Sequence, residues 1–390
     1  MAEKSIYVVF RFQMNWHKMI VFLLGVMLGN KIIVHLTSNT IIISVCISKS
    51  FMKSHPATIK DIARELGVSP STVSRALKDH PDISPDTKFQ VNTLAAKLHY
   101  KPNAIALSLK NRRSNVVGVV IPEIAHFFFS TVISGIQDLA NQNGYNVMVC
   151  QTNESYDKEV AAVNAFMDGR IDGLLVSVSK ETSDYEHFRK LEEEEIPVVF
   201  FDRIIEDFES DYVVIDDFGG AYSAVEHLIK TGKRRIAHFS GPQNRLIGKN
   251  RFNGYKQALA DYGIEYDEDL VISADNFYTG IHGVNQLVDS GIDFNAIFTV
   301  NDFTAIGVIK TLKARGYNVP QQVAVVGFGD EDIAHMFDPM LTTISQPGDV
   351  MGRRSMEILL HKLRSDERVD KETIVLTTNL IIRNSTVPIY

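Results

Sequence analysis

The sequence predicts an α/β protein in three parts: a small three-helix head, a short helix-prone linker, and a large core of parallel sheets divided into two subdomains. Three observations carry that expectation. Two Ser-Pro pairs, Ser69-Pro70 and Ser84-Pro85, each open a stretch with apolar residues at helical spacing. From Asn115 onward, strand-like runs of Val, Ile and Phe alternate with amphipathic stretches to the end of the chain. Finally, the charge changes sign between the parts. Residues 52–113 hold 11 Lys and Arg against 5 Asp and Glu, net +6, whereas residues 114–390 hold 24 against 41, net −17.

The chain has 390 residues, 45% apolar and 22% charged, which suits a soluble protein of two or three domains with a large buried core. Cys46 and Cys150 lie far apart and outside any C-x-x-C spacing, so neither a thiolate metal site nor a redox pair is expected, and a reducing cytoplasm is the expected compartment.

Residues 1–51 do not match the rest. Met19–Gly29 and Ile41–Ile47 are apolar and have the look of a membrane or signal segment. Yet the first run is 11 residues, against the roughly 20 needed to span a bilayer, and Asn30, Lys31 and His35 separate it from the second. Lys18 precedes an apolar run as in a signal peptide, but no small-residue cleavage site clearly follows. The expectation is that translation begins at Met52, that residues 1–51 pack poorly against the remainder, and that the protein has no membrane partner.

The head is expected over residues 52–101. Thr58 can cap a helix with Asp61 three residues on, Ile59, Ile62, Ala63 and Leu66 share its buried face, and Gly67 ends it. Ser69 then caps a second helix with Pro70 at its first position, running through Ser71-Thr-Val-Ser-Arg-Ala-Leu77. Ser84-Pro85 repeats the device for a third helix toward Leu98, with Val91, Leu94, Ala95 and Leu98 inward. Two short helices joined by a Gly-containing turn form a helix-turn-helix, the unit that lays its second helix in the DNA major groove. Ser71, Thr72 and Arg75 stand at the reading end. Their hydroxyls can serve several bases or phosphates, and Arg75 can grip guanine with two hydrogen bonds or hold a phosphate. The plain alternative is a small three-helix core with a solvated basic face.

Tyr100-Lys-Pro-Asn103 closes the head, and Ala104–Lys110 opens a hinge helix and linker over residues 102–114. Its leucines can be small-core residues, or one of them can wedge into a minor-groove step.

In the core, over residues 115–390, strand runs are expected at Val116–Ile121, Tyr145–Cys150, Gly173–Ser177, Val198–Phe201, Ile236–Ser240, Ala296–Val300 and Val323–Phe328. So many elements exceed one comfortable sheet, hence two lobes: one near residues 115–216 and 348–374, the other near 217–347 and 375–390. Open α/β sheets bind ligands beyond the carboxyl ends of their strands. The candidates there are Asp202-Arg203, Asn301-Asp302 and Gly329-Asp330. Each alone is more often a helix cap than a ligand contact, above all Asp302, but their recurrence at strand ends favours a polar site.

Thr58–Ala63, Val68–Arg75, Ile83-Ser84 and Tyr100–Ala104 together resemble the head and hinge of the LacI/GalR regulators. The resemblance continues through the core, about 330 residues in all, in Val199–Arg203, Gly241-Pro242, Asn250–Tyr255, Val300–Asp302, Val326–Asp330 and Leu341–Gln346. It implies a core like the periplasmic binding proteins and a DNA-facing set of Thr58, Ser69, Pro70, Ser71, Thr72, Arg75, Ser84, Tyr100, Asn103 and Leu109. In that set Pro70 and Ser71 take the main base-specifying positions, Asn103 supports the hinge and Leu109 intercalates. Pro70 stands where other members carry tyrosine, so their operator sequences do not transfer. For the cleft the resemblance implies Phe128, Asp202, Arg251, Phe277, Asn301, Asp330 and Gln346, with Arg251 and Asp202 clamping hydroxyls or a carboxylate. Phe127–Phe129 can equally be core. Where many relatives have two acidic residues, Gly329 stands before Asp330, so a carboxylate offered to sugar hydroxyls is expected to be missing.

The expected function is that of a homodimeric repressor of a catabolic operon, bound to a pseudo-palindromic operator DNA and controlled by a small sugar-like effector. The effector can act as inducer or corepressor. A protein co-effector is the alternative, and a solute-binding receptor a more distant one, which the basic head opposes. No enzyme is expected: the chain has no G-x-G-x-x-G after its first core strand, no H-E-x-x-H and no G-x-S-x-G. His126, His238 and His335 stand alone, and no metal or cofactor is expected.

Overall fold

The computed structural model describes the backbone of residues 6–12, 31–37 and 40–47, and residues 57–100, 113–124, 127–205, 208–365 and 370–387 in full. Asn103 and Leu109, and with them most of the expected hinge helix, lie outside the described residues, as do the apolar run Met19–Gly29 and His126. The chain divides into two compact units, Met1–Leu107 and Ser108–Tyr390.

In the first unit, β1 (Ile6–Phe12), β2 (Lys31–Thr37) and β3 (Thr40–Ile47) form an antiparallel sheet in the order β1-β3-β2. The apolar run Ile41–Ile47 is thus its central strand.

Helices α1 (Ile59–Leu66), α2 (Pro70–Leu77) and α3 (Pro85–Lys97) follow. The Asp61 carboxylate accepts from both the Thr58 N–H (2.9 Å) and its hydroxyl (2.6 Å), fixing the start of α1. Gly67, in the left-handed region at φ 65°, ends it where a side chain would strain the turn. Ser69 Oγ accepts the Thr72 N–H at 3.0 Å and Ser84 Oγ the Thr87 N–H at 3.3 Å. These hydroxyls satisfy donors that the helix itself leaves unpaired. Ile62, Ala63, Val73, Ala76, Val91, Leu94 and Ala95 form the core of the head.

The second unit contains two six-stranded sheets. In the first lobe β4 (Val116–Ile121), β5 (Asn146–Gln151), β6 (Gly173–Val176), β7 (Val198–Phe201), β8 (Asp211–Ile215) and β14 (Thr373–Leu376) run in parallel in the order β14-β8-β7-β6-β4-β5. Around them lie α4 (Phe127–Gln142), α5 (Tyr156–Asp168), α6 (Glu186–Glu193) and α12 (Gly348–Arg364). Helices α4 and α12 approach through glycine: a Cβ on Gly352 would stand 2.1 Å from the Val132 carbonyl oxygen.

In the second lobe the sheet is β10-β9-β11-β12-β13-β15, made of β9 (Ile236–Ser240), β10 (Val271–Ser273), β11 (Ala296–Thr299), β12 (Ala324–Gly329), β13 (Thr342–Ser345) and β15 (Asn379–Ile381). Its helices are α7 (Asp217–Lys230), α8 (Leu246–Asp261), α9 (Phe277–Ser290), α10 (Asp302–Ala314) and α11 (Asp332–Met336).

The chain passes between the lobes after β8, β13 and β14, each time at the carboxyl end of a strand. Those ends therefore face one another. Both core sheets are parallel as expected, apart from the edge strand β15, which pairs antiparallel with β13. Only Thr377 and Thr378 separate it from β14, so the chain enters the second sheet from its carboxyl edge and runs against its neighbour. The last passage falls two residues later than expected, because β14 extends to Leu376 within the first lobe. Among the described residues no helix is long and apolar enough to cross a membrane, and no cluster of metal-ligating side chains occurs.

Candidate functional site

On α2 the burial pattern separates support from surface. Val73 and Ala76 are buried, whereas Pro70, Ser71 and Arg75 are exposed. The Arg75 side chain has no hydrogen bond or ion pair among the described residues. Thr72 is half-buried and shares a hydroxyl contact with Ser69 at 2.9 Å. Thr58, Ser69 and Ser84 are exposed residues at helix starts, so their side chains shape the head as well as its surface. Tyr100 packs against the head core.

Between the two lobes of the second unit lies a cleft of about 170 Å³. Its wall contains Phe128, Asp202, Arg251, Asn301 and Gln346, five of the seven expected residues. Phe128 stands there with Phe129, ring centroids 5.3 Å apart and edge to face. Asp202, buried and at φ 64°, follows β7. Burial pushes its carboxyl above the ordinary range, against the opposing charges of Arg203 and Arg251 and a 3.3 Å hydrogen bond from Ser177 Oγ.

Arg251 is buried in α8. Its Nε donates to Asp217 Oδ1 at 2.7 Å, its Nη1 to the Val300 carbonyl at 2.5 Å, and its guanidinium carbon lies 3.6 Å from the centroid of the Phe328 ring. Burial raises Asp217 to about 6, even with Arg251 favouring its charge. Asn301 caps α10: its Oδ1 accepts the Thr304 N–H at 2.8 Å and its Nδ2 donates to the Asp275 carbonyl at 2.7 Å.

Asp302 is not the cap that its position suggested. It begins the helix, fully buried, and its carboxylate accepts from the Thr343 hydroxyl (2.5 Å) and the Glu331 N–H (2.9 Å), joining the start of α10 to β13 and to the turn after β12. Burial outweighs those bonds and raises it to about 7.

Two expected residues are not on the wall. Phe277 begins α9 with its ring half-buried against the second-lobe core and Lys310 Nζ 5.4 Å from its centroid. Asp330, at φ 55°, turns away to accept from Arg383 Nη2 at 2.6 Å. Glu331 lines the cleft in its place, so the carboxylate expected to be missing comes from the next residue.

Several cleft residues escaped the sequence reading. Glu154 follows β5 at φ 61° and accepts Arg203 Nη1 and Nη2 at 2.8 and 3.0 Å and the Lys180 N–H at 2.7 Å. Burial opposes its charge, but these partners prevail and hold its carboxyl below the ordinary range. Lys180 Nζ reaches across the cleft to Asp275 Oδ2 at 2.9 Å. Arg245, before α8, donates through Nη2 to the Thr182 carbonyl at 2.9 Å and also to that of Lys180. Glu154, Lys180 and Asp275 all follow strands, the rule already applied at Asp202. Arg245 sits in a loop and carried no such signal.

A helix-turn-helix head joined to a two-lobed α/β core with a polar cleft defines a DNA-binding regulator with a sensor domain. Residues 58–103 match the family described as bacterial regulatory proteins of the lacI family, and residues 114–384 that of periplasmic binding proteins and the sugar binding domain of the LacI family. The chain belongs to the LacI family of transcription regulators. It is 33% identical to catabolite control protein A of Priestia megaterium over 331 residues, 84% of this chain and 99% of that protein. It is 32% identical to the transcriptional regulator CelR of Thermobifida fusca over 338 residues, 84% of this chain and 98% of that one. A CelR–cellobiose complex superposes with a TM-score of 0.65 at 30% identity, covering 84% of this chain and 99% of that one. The lac repressor dimer bound to operator and the anti-inducer ONPF superposes with a TM-score of 0.75 at 25% identity, covering 85% and 99%.

Proposed function

We propose that the protein is a cytoplasmic repressor that binds a pseudo-palindromic operator as a homodimer, under the control of a small sugar-like effector in the cleft. The observation that carries this reading is the division of α2: Val73 and Ala76 anchor it, leaving Ser71 and Arg75 exposed at its reading end. Related proteins support the remainder, one solved with cellobiose and another as a dimer on its operator. A two-fold dimer presents two such helices to two half-sites, which is why the operator is a pseudo-palindrome.

The cleft contributes control because both lobes build it. Glu154, Lys180, Asp202 and Arg203 come from the first lobe, and Arg245, Arg251, Asp275 and Asn301 from the second. A ligand touching both sides binds differently to different lobe arrangements and shifts their populations by that difference in affinity. Phe128 and Phe129 offer an apolar surface to a sugar ring, while Asn301, Gln346 and Glu331 place polar groups around it.

Selection of DNA from a random pool by the full chain tests the proposal, followed by titration of the enriched sequence with and without sugars. Paired inverted half-sites are expected, with an affinity that changes when an effector is added. Equal binding of the selected site by the Arg75→Ala variant at moderate salt would overturn the DNA-reading role.

A further inference from the structure

Most cations of the cleft are neutralised within the protein. Arg203 meets Glu154 through two nitrogens, Lys180 meets Asp275 at 2.9 Å, and Arg251 meets Asp217 at 2.7 Å. Arg245 differs. Among the described residues no carboxylate lies within ion-pair distance of it, its Nη2 is spent on two main-chain carbonyls, and its Nε is buried with no hydrogen-bond partner. Burial and the nearby Arg203 charge both push its pKa down. The protein thus holds a part-buried cationic group in the cleft wall with no carboxylate in contact, Glu159 and Glu154 acting on it only from beyond ion-pair distance.

A second feature converges on the same place. Arg245 is the residue immediately before α8, a helix of 16 residues whose start no side chain caps and whose first turn holds no acidic residue. The N–H groups of Leu246, Ile247 and Gly248 have no partner within the helix, and these residues line the cleft or the adjoining hollow of about 50 Å³. Such a terminus favours negative charge. Of the acidic side chains nearby, Glu154, Asp275 and Asp217 are paired with Arg203, Lys180 and Arg251, burial drives Asp202 toward its neutral form, and Glu331 is the remaining carboxylate on the cleft wall.

We propose that the effector is an acidic polyhydroxylated molecule, a sugar acid or sugar phosphate, whose anionic group sits between Arg245 and the N-terminus of α8. This deepens, and rests on, the reading of the cleft as the effector site. Its regulatory consequence follows from the same side chain. Arg245 belongs to the second lobe but holds the Lys180 and Thr182 carbonyls of the first, so an anion drawn to it acts directly on the contact between lobes.

Calorimetric titration of the full chain provides the test, using hexuronates, aldonates and hexose phosphates, each against its neutral parent sugar. One acid class is expected to bind about tenfold or more tightly than its parent, with an affinity that falls as salt is added. The carboxylate and phosphate arms identify which acid it is. In Arg245→Gln the preference for acid over neutral parent should disappear, whereas Arg245→Lys should retain part of it. Neutral sugars binding as tightly as their acids would overturn the acidic effector and leave the sugar-controlled repressor standing. Acid preference undiminished in Arg245→Gln would remove Arg245 from the site. Failure of every acid and every neutral parent to bind would overturn this inference together with the effector reading of the cleft.

Discussion

Arg251 and Asp217 join α8 to α7 through an Nε–Oδ1 hydrogen bond of 2.7 Å, with both side chains at most 6% exposed. The same guanidinium bonds the Val300 carbonyl at the end of β11 and covers Phe328 in β12. One side chain therefore ties two helices to two strands beneath the cleft. It leaves Nη2 as the nitrogen it can present to a ligand. Arg251 is as much a positioning residue as a binding one.

Removing it should show both roles. Arg251→Ala leaves Asp217 buried without its partner, a loss of about 3–5 kcal/mol in urea unfolding. The loss should shrink as pH falls toward about 6, because Asp217 without Arg251 takes up its proton at a higher pH than the value of about 6 it has beside that arginine. Adding Asp217→Asn to Arg251→Ala should recover part of the stability at pH 8 without restoring any ligand response. A single variant as stable at pH 8 as the parent would show that the pair is not what holds α7 to α8.

A different pH dependence is expected from Asp302. Its folded-state pKa of about 7 lies above the ordinary carboxylate value, so folding favours its protonated form. The resulting stability is fully present below about pH 4 and is lost as pH rises through 7. Asp302→Asn can still donate to Thr343 and accept from the Glu331 N–H, and it cannot ionise. The difference in unfolding free energy between parent and variant should thus shift by on the order of 4 kcal/mol between pH 4 and 8, against the parent at high pH. A flat difference would place the titration elsewhere.

What could be read from the sequence was largely what is local. Ser69-Pro70 and Ser84-Pro85 announce helix starts because cap and helix are neighbours in the chain, and Asp202 announces a cleft because it follows a strand. The misreadings arose where distant partners decide. Asp330 faces away from the cleft because Arg383, 53 residues on, binds it, and the place on the cleft wall passes to the buried Glu331. Asp302 is held by Thr343, 41 residues away, which leaves the capping task to Asn301. The family resemblance alone places Phe277 at the cleft, yet its ring is used to cover the second-lobe core.

The capping of α2 gives a prediction for the head alone. Ser69 Oγ accepts the Thr72 N–H at 3.0 Å, a bond that alanine cannot replace. Ser69→Ala should destabilise the head by about 1 kcal/mol, seen as faster amide exchange in α2 with the second unit unchanged. Ser69→Asp should preserve the cap, since aspartate caps equally well, while its charge opposes the DNA. A cap-retaining variant that folds normally but binds operator less tightly would separate the two roles of this position.

Arg75 allows a sharper distinction, between reading a base and holding a phosphate. Its side chain is exposed and unpaired among the described residues, so its truncation should leave the fold intact. If it grips a guanine, Arg75→Ala should lose about 1–3 kcal/mol on the selected operator and much less on unrelated DNA, with little change in salt dependence. A phosphate contact would instead weaken all sequences alike and lower the slope of log K against log salt by about 0.9. The first outcome is expected, because Arg75 shares the exposed side of α2 with Ser71, one turn away, and the two can address neighbouring base pairs together. Measuring operator and non-operator affinities at several salt concentrations, for the parent and for Arg75→Ala, decides between them. Uniform weakening with a reduced slope would move sequence discrimination from Arg75 to Pro70 and Ser71.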